Sequence, residues 1–376
     1  MSSGSLTPAP STSELSSCAH DLSSIHGKLN GYKRRYPRDD TTKFLTEFFK
    51  YLPREGQKNL ADDIASCDDD EKLHQLRKSL ETGLLRPMKA KGGRTPTITP
   101  SPRIGLEDSI ENLAALDFES AIESDRQELR KSCLKRDGNL CVVSQSWDIT
   151  NADCPDGYTI GPLQAVHILP FALGSFTNEE GRLETSAIWV NIFRYFPDLR
   201  ARLNMMPGDV NREDNVMMML SPLHPYFGAF KFIFEATDTP HRYRIKTFPG
   251  FPTAFFPHLP QANAYGHRYV QLRSHDANFP VPNPSFLAVH AAIGNILRTT
   301  GRGEEIDQLL HDLEGPGSSG LARDGSTNIG DLLSVSRLSV LSEDRNRSQP
   351  STDNAAKPTS AAPRGTENWG PRSQNT

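Results

Sequence analysis

Cysteine is scarce in this chain and poorly placed for metal or disulfide chemistry. The five in 376 residues are Cys18, Cys67, Cys133, Cys141 and Cys154, odd in number and without a C-x-x-C pair. That argues against a four-cysteine zinc centre and a disulfide framework, and for a reducing intracellular compartment, nuclear or cytoplasmic. No apolar run approaches the length that spans a bilayer. The opening Met1-Ser2-Ser3-Gly4-Ser5 lacks the basic start and apolar core of a secretory signal. The chain therefore reads as soluble. A strong positive field is missing too. The net charge is -4, so a polyanion would have to be met by a local basic face. Between Trp189 and His275, ten Lys/Arg stand against six Asp/Glu, with five histidines. Such a balance permits phosphate contacts without demanding them.

Apolar residues make up only 36% of the chain, and Ser, Thr, Pro and Gly crowd both ends. A folded middle between disordered ends is expected. Residues 1–40 read as a disordered N-terminal segment in which Lys33-Arg34-Arg35 is a solvated patch, or else an import or phosphate-binding one. From Thr41, Phe44, Leu45, Phe48, Phe49 and Leu52 recur at helical spacing until Pro53. A second helix over about 56–64 follows. A third spans 71–85, with Leu73, Leu76, Leu80 and Leu84 as its stripe behind Asp68-Asp69-Asp70. Residues 41–88 thus form a small helical unit, and 89–105 read as a linker. A larger α+β domain is expected over 106–314, followed by a disordered tail over 315–376. Within it, 106–136 reads as helical. Leu140-Cys141-Val142-Val143 reads as a strand, with Cys141 a small buried apolar residue. Residues 230–236, 242–247 and 269–272 read as further strands, and 286–300 and 304–313 as helices.

The middle of that domain carries the chemistry. Leu163-Gln164-Ala165-Val166-His167-Ile168-Leu169-Pro170 reads as a short strand ending in a histidine. A long loop then leads to Asp214-Asn215 and a second strand, Val216-Met217-Met218-Met219-Leu220. Ser221-Pro222-Leu223-His224-Pro225-Tyr226-Phe227 reads as a helix start with Ser221 as its cap. A neutral histidine suits a general base, because its ordinary pKa lies near physiological pH. Each of these residues alone has a blander reading: a core histidine, a turn asparagine, a histidine in a first helical turn. His241, His258, His267, His275 and His290 take the bland reading.

The order His167, Asn215, His224 on strand, strand and helix resembles an HNH nuclease finger, of the fungal branch of that family. Arg136-Asp137-Gly138 and the Cys141 segment resemble the branch's lead-in. The resemblance covers roughly residues 125–300 in overall order, and its specific motifs lie in the finger. It implies a ββα-metal fold embedded in a mixed domain, and a divalent-metal-dependent endonuclease acting on DNA, or RNA. It implies His167 as the base, Asn215 as the residue orienting it and its loop, and His224 as the ligand of Mg²⁺, or of Mn²⁺ or Zn²⁺. Several positions depart from the family pattern. Val166 stands where Asp or His is common, Gln164 where a carboxylate often precedes, Ser144-Gln145 where Thr-Gly is common, and Gly228 where Asp is frequent. Asp209 and Asp214 are the nearest carboxylates in sequence for the open ligand position. Arg194, Arg200, Arg202, Arg212, Arg242 and Arg244 are candidates for phosphate. The competing reading is a finger that has lost catalysis and binds nucleic acid or protein, with residues 41–88 as the partner surface. A zinc-stabilised structural domain is a third, weakened by the lack of paired cysteines.

Overall fold

The computed structural model describes residues 25–90 and 98–314. The expected disordered tail at 315–376 and residues 1–24 lie outside the described residues. Those described belong to one unit, Met1–Val335. Its N-terminal helices form where the apolar spacing placed them: α1 (Thr41–Tyr51), α2 (Arg54–Ser66) and α3 (Asp70–Leu80). Phe44, Leu45, Phe48 and Phe49 are buried on α1, as is the leucine stripe on α3. Asp69 caps α3 by accepting the Lys72 N–H at 2.8 Å. A π turn, Glu81–Leu85, then carries the chain into α4 (Arg86–Lys89). At Gly83 a Cβ would sit 2.7 Å from Asn191 Nδ2, so the backbone there must stay bare. Residues 25–40, expected to be unordered, start with a helical stretch over 25–30 and bury Ile25, Leu29 and Tyr32. Those three side chains recur at helical spacing and belong to the same core as α1.

Two helices replace the continuous one expected over 106–136: α5 (Leu106–Ala114) and α6 (Arg126–Arg136). A short parallel pair follows, β1 (Trp147–Asp148) and β2 (Ile160–Gly161). Next come the antiparallel pair β3 (Leu163–His167) and β4 (Val216–Leu220), in register His167↔Val216 to Leu163↔Leu220. The expected long loop between them contains α7 (Glu179–Tyr195) and α8 (Asp198–Ala201). Asn178 caps α7 by accepting the Gly181 N–H, and Trp189 is fully buried on it. Helix α9 (His224–Gly228) follows β4. The three-stranded sheet of β5 (Phe232–Ala236), β6 (Arg242–Thr247) and β7 (Arg268–Gln271) is antiparallel throughout, with Phe234 opposite Ile245 as the alternation anticipated. Two helices close the unit, α10 (Pro284–Thr300) and α11 (Arg302–Glu314). Helix α10 packs on both α1 and β5, so the helical unit of residues 41–88 shares its core with the strands instead of standing apart.

The expected strand at 140–143 is a turn, and side chains do the work of a neighbouring strand. Every residue of β4 is buried, yet β4 pairs with β3 on one edge only. Its other edge is capped group by group. Arg136 Nη2 donates to Val216 O at 2.6 Å, and Asp137 Oδ2 accepts the Met218 N–H at 2.8 Å. The Val142 N–H donates to Met218 O at 2.9 Å, and Cys141 Sγ accepts the Leu220 N–H at 3.2 Å. The same sulfur accepts from Val143 and Ser144, so Cys141 is a hydrogen-bond centre and not merely a small apolar filler. Left-handed Asn139 (φ 60°) and Gln145 (φ 59°) break the extension a strand would need.

Arg136 and Asp137 are almost wholly buried and hydrogen-bonded to each other as well as to β4. Removing one member of such a pair strands the other charge in the core. Arg136→Met is expected to cost about 3–5 kcal/mol of unfolding free energy, measured by urea denaturation. A loss under about 1 kcal/mol would place the pair among ordinary surface contacts and contradict its role.

Candidate active site

Strand β3 carries two polar residues toward opposite ends of the β3–β4 pair, Gln164 opposite Met219 and His167 opposite Val216, and buries Val166 in the core at 1% exposure. Position 166 therefore faces inward, whatever ligand other sequences carry there. His167 sits at the end of the strand, opposite Val216. Its Nε2 lies 3.0 Å from Asn211 Oδ1, and its ring meets Phe171 edge-on at 5.8 Å. Burial pulls its pKa from the ordinary 6.5 down to about 4, against the opposing pull of the Asn211 hydrogen bond. Positive charge on Arg126 and His224 adds to the lowering. At neutral pH the ring is uncharged.

Asn215 is wholly buried in the bend before β4. Its Oδ1 accepts the Leu169 N–H at 2.9 Å, while Nδ2 donates to Leu169 O at 3.1 Å and Val210 O at 2.9 Å. Its backbone carbonyl takes the Ile168 N–H at 2.8 Å. Asn215 thus fixes the two residues that follow His167 and does not touch the imidazole itself. Its effect on His167 passes through the backbone.

His224 opens α9. Leu223, not Ser221, precedes the helix as its cap residue, and Ser221 instead ends the strand pair with its N–H on Pro162 O. Pro225 falls at the start of α9, where no backbone donor is needed. The Nδ1 of His224 lies 2.7 Å from Gln164 Oε1, which ties the helix to the strand that bears His167. Beneath α9, His290 of α10 lies flat between Phe227 and Phe230, with ring centroids 3.9 and 4.4 Å away.

The remaining candidates are committed elsewhere. Asp209 accepts the Met206 N–H, and Asp214 forks with Arg212, so neither supplies an oxygen beside His224. Among the described residues there is no group of three or more His, Cys, Asp and Glu that could hold a metal ion. Arg194, Arg202, Arg212 and Arg244 are ion-paired within the chain. Arg200 donates to Met205 O, and Arg242 lies over the Tyr269 ring. Arg126, which no local motif singles out, is an arginine whose charge reaches His167. Its guanidinium lies 5.3 Å from the Phe171 ring centroid, beside a cleft of about 690 Å³ that both residues line. Asn211 was also not foreseen, because it lies four residues from Asn215 in a loop with no motif of its own.

Residues 141–235 match the family model of the HNH endonucleases, a span holding β1 to β5 and all three residues His167, Asn215 and His224. That segment is similar to the HNH endonuclease domains. Neither the curated proteins nor the solved structures include a match to the chain.

One partly buried histidine and one fully buried one give the fold a defined acid sensitivity. The His290 pKa, lowered by burial, lies at about 3, and that of His167 at about 4. Between these values and the ordinary 6.5 the unfolded chain binds more protons, so stability present above 6.5 is lost as pH falls through the window. His290→Leu should therefore lose less stability than the parent between pH 7 and pH 5. The expected gap is about 2 kcal/mol, read from urea midpoints at the two pH values. Parallel losses in both proteins would show that His290 titrates normally.

Proposed function

We propose that the chain is a divalent-metal-dependent endonuclease hydrolysing phosphodiester bonds in DNA, with β3, β4 and α9 as a ββα-metal finger. HNH domains generally bind nucleic acid and use divalent metal ions. The observation that carries the proposal is the state of His167, a partly buried imidazole held uncharged at neutral pH at the end of β3. Such a ring takes a proton from an attacking water. Its low pKa keeps it unprotonated at the cost of intrinsic basicity, and an anionic phosphate beside it would pull the value back up. Asn215 holds the loop that sets where His167 points.

His224 would hold the cation, with Gln164 as either a second donor or the anchor of the Nδ1 side of its ring. One imidazole and one amide oxygen fit an ion that the protein holds weakly. Substrate phosphate and water would complete its shell. When bound, the ion polarises the phosphate and stabilises the leaving oxygen. Mg²⁺ has the first claim, and the neutral imidazole donor leaves Mn²⁺ and Zn²⁺ open. Arg126, beside the cleft and paired with the exposed Glu123 at 2.6 Å, would supply positive charge for a phosphate that displaces that partner. The unpaired Cys67, Cys133, Cys141 and Cys154 agree with a reducing, intracellular setting.

One observation favours a second reading. Among the described residues no group of three or more His, Cys, Asp and Glu could hold a metal ion, which suits a finger that has lost catalysis and binds nucleic acid, or binds a protein through residues 41–88. Supercoiled plasmid and a structured RNA, each incubated with Mg²⁺, Mn²⁺ or Zn²⁺, separate the two. The nuclease reading expects plasmid nicking that EDTA abolishes and that His167→Ala slows by about 100-fold or more. Folded protein inert with all three ions on both substrates would leave the binding module.

A further inference from the structure

We infer that Asn211 is a positioning residue that fixes which nitrogen of His167 is the base. The inference rests on the role given to His167 above. An imidazole has two nitrogens, and in the neutral ring one carries hydrogen while the other keeps its lone pair. The partner of one nitrogen decides the state of the other.

The Asn211 side chain has only one consistent orientation. Its Nδ2 donates to Ile122 O at 3.0 Å, and a carbonyl can only accept. Turning the amide over would set its oxygen against the Ile122 oxygen and lose that bond. Asn211 Oδ1 therefore faces His167, 3.0 Å from Nε2. An amide oxygen cannot donate, so Nε2 carries the hydrogen and Nδ1 keeps the lone pair. His167 Nδ1 is the proton acceptor.

The loops that carry this relay are interlocked, which keeps its geometry fixed. A Cβ on Gly208 would lie 2.1 Å from Glu119 O, and one on Gly174 would lie 2.3 Å from Pro207 O. Ala121 donates its N–H to Gly174 O at 2.8 Å. The segment bearing Ile122, the segment after Phe171 and the segment bearing Asn211 thus meet backbone to backbone. Asn215 adds a further tie by donating to Val210 O, one residue before Asn211. The asparagine of the motif and the asparagine of the relay hold the same loop.

Nitrogen-15 NMR of the full chain labelled at histidine reads the tautomer directly, with His167→Gln identifying the resonances. At pH 7 the expected pattern for His167 is a protonated Nε2 and a bare Nδ1. Asn211→Leu, close in size and unable to accept, is expected to move the ring toward the opposite or a mixed tautomer. It is also expected to slow plasmid nicking by about 100-fold. Asn211→Gln keeps both an acceptor and a donor and should favour the parent tautomer, and an unchanged near-UV circular dichroism spectrum of Asn211→Leu guards against a loss caused by misfolding alone. A parent ring protonated on Nδ1, or a tautomer unmoved by Asn211→Leu, would overturn the inference. The expected tautomers in a protein that cleaves no nucleic acid would leave Asn211 as the positioning residue and remove the nuclease reading instead.

Discussion

The capped outer edge of β4 is the constraint on which the rest of the structure depends. A strand whose every residue is buried cannot leave one row of backbone groups unpaired, because each would cost about as much as a lost hydrogen bond. Here no third strand lies beside it. Arg136, Asp137, Cys141 and Val142 meet those groups one at a time from the end of α6 and the turn after it. The buried charge pair can exist there because each partner is hydrogen-bonded on several sides. With that edge satisfied, β4 holds β3 in register, and β3 holds His167 at one end of the pair and Gln164 toward the other. The chemistry sits on a frame whose least replaceable parts lie on the far edge of β4.

The position of His167 follows from that frame, and its protonation state follows from packing. Burial outweighs the hydrogen bond that His167 donates to Asn211 and leaves the ring neutral. The same principle acts on His290, where two aromatic faces and no charged partner lower the pKa further. One histidine lies between the loops of the candidate site, the other under the helix that carries His224. Acid therefore acts on both the site and its floor.

Much of this was legible in the sequence, and the gaps have physical causes. Helices α1 and α3 follow from Phe44, Phe48, Leu73 and Leu80, because an apolar stripe at a period of 3.6 residues must face a core. Strands β5 and β6 follow from the apolar positions Phe232, Phe234, Tyr243 and Ile245, although Ile233 between the first two is buried as well. The turn at residues 140–143 did not, since four apolar letters in a row fit a buried strand as well as a turn whose sulfur accepts amides. Helix α7 was hidden inside what looked like a long loop, although Asn178-Glu179-Glu180 is a sound helix start. For the site, His167, Asn215 and His224 stand out by their order and flanking elements. Asn211 does not, because its role depends on a loop brought in from residues 119–122, which no local pattern encodes.

The most direct test of the account is the pH dependence of plasmid nicking at plasmid concentrations far below saturation, which reports the free protein, with cation raised until the rate stops increasing so that its binding does not set the profile. A base buried as His167 is should keep its rate through the ordinary histidine value of about 6.5 and lose it only as pH falls toward about 4. A rate that halves near 6.5 under those conditions would mean that the working base is a solvated histidine, and that the buried, uncharged His167 is not what drives the chemistry.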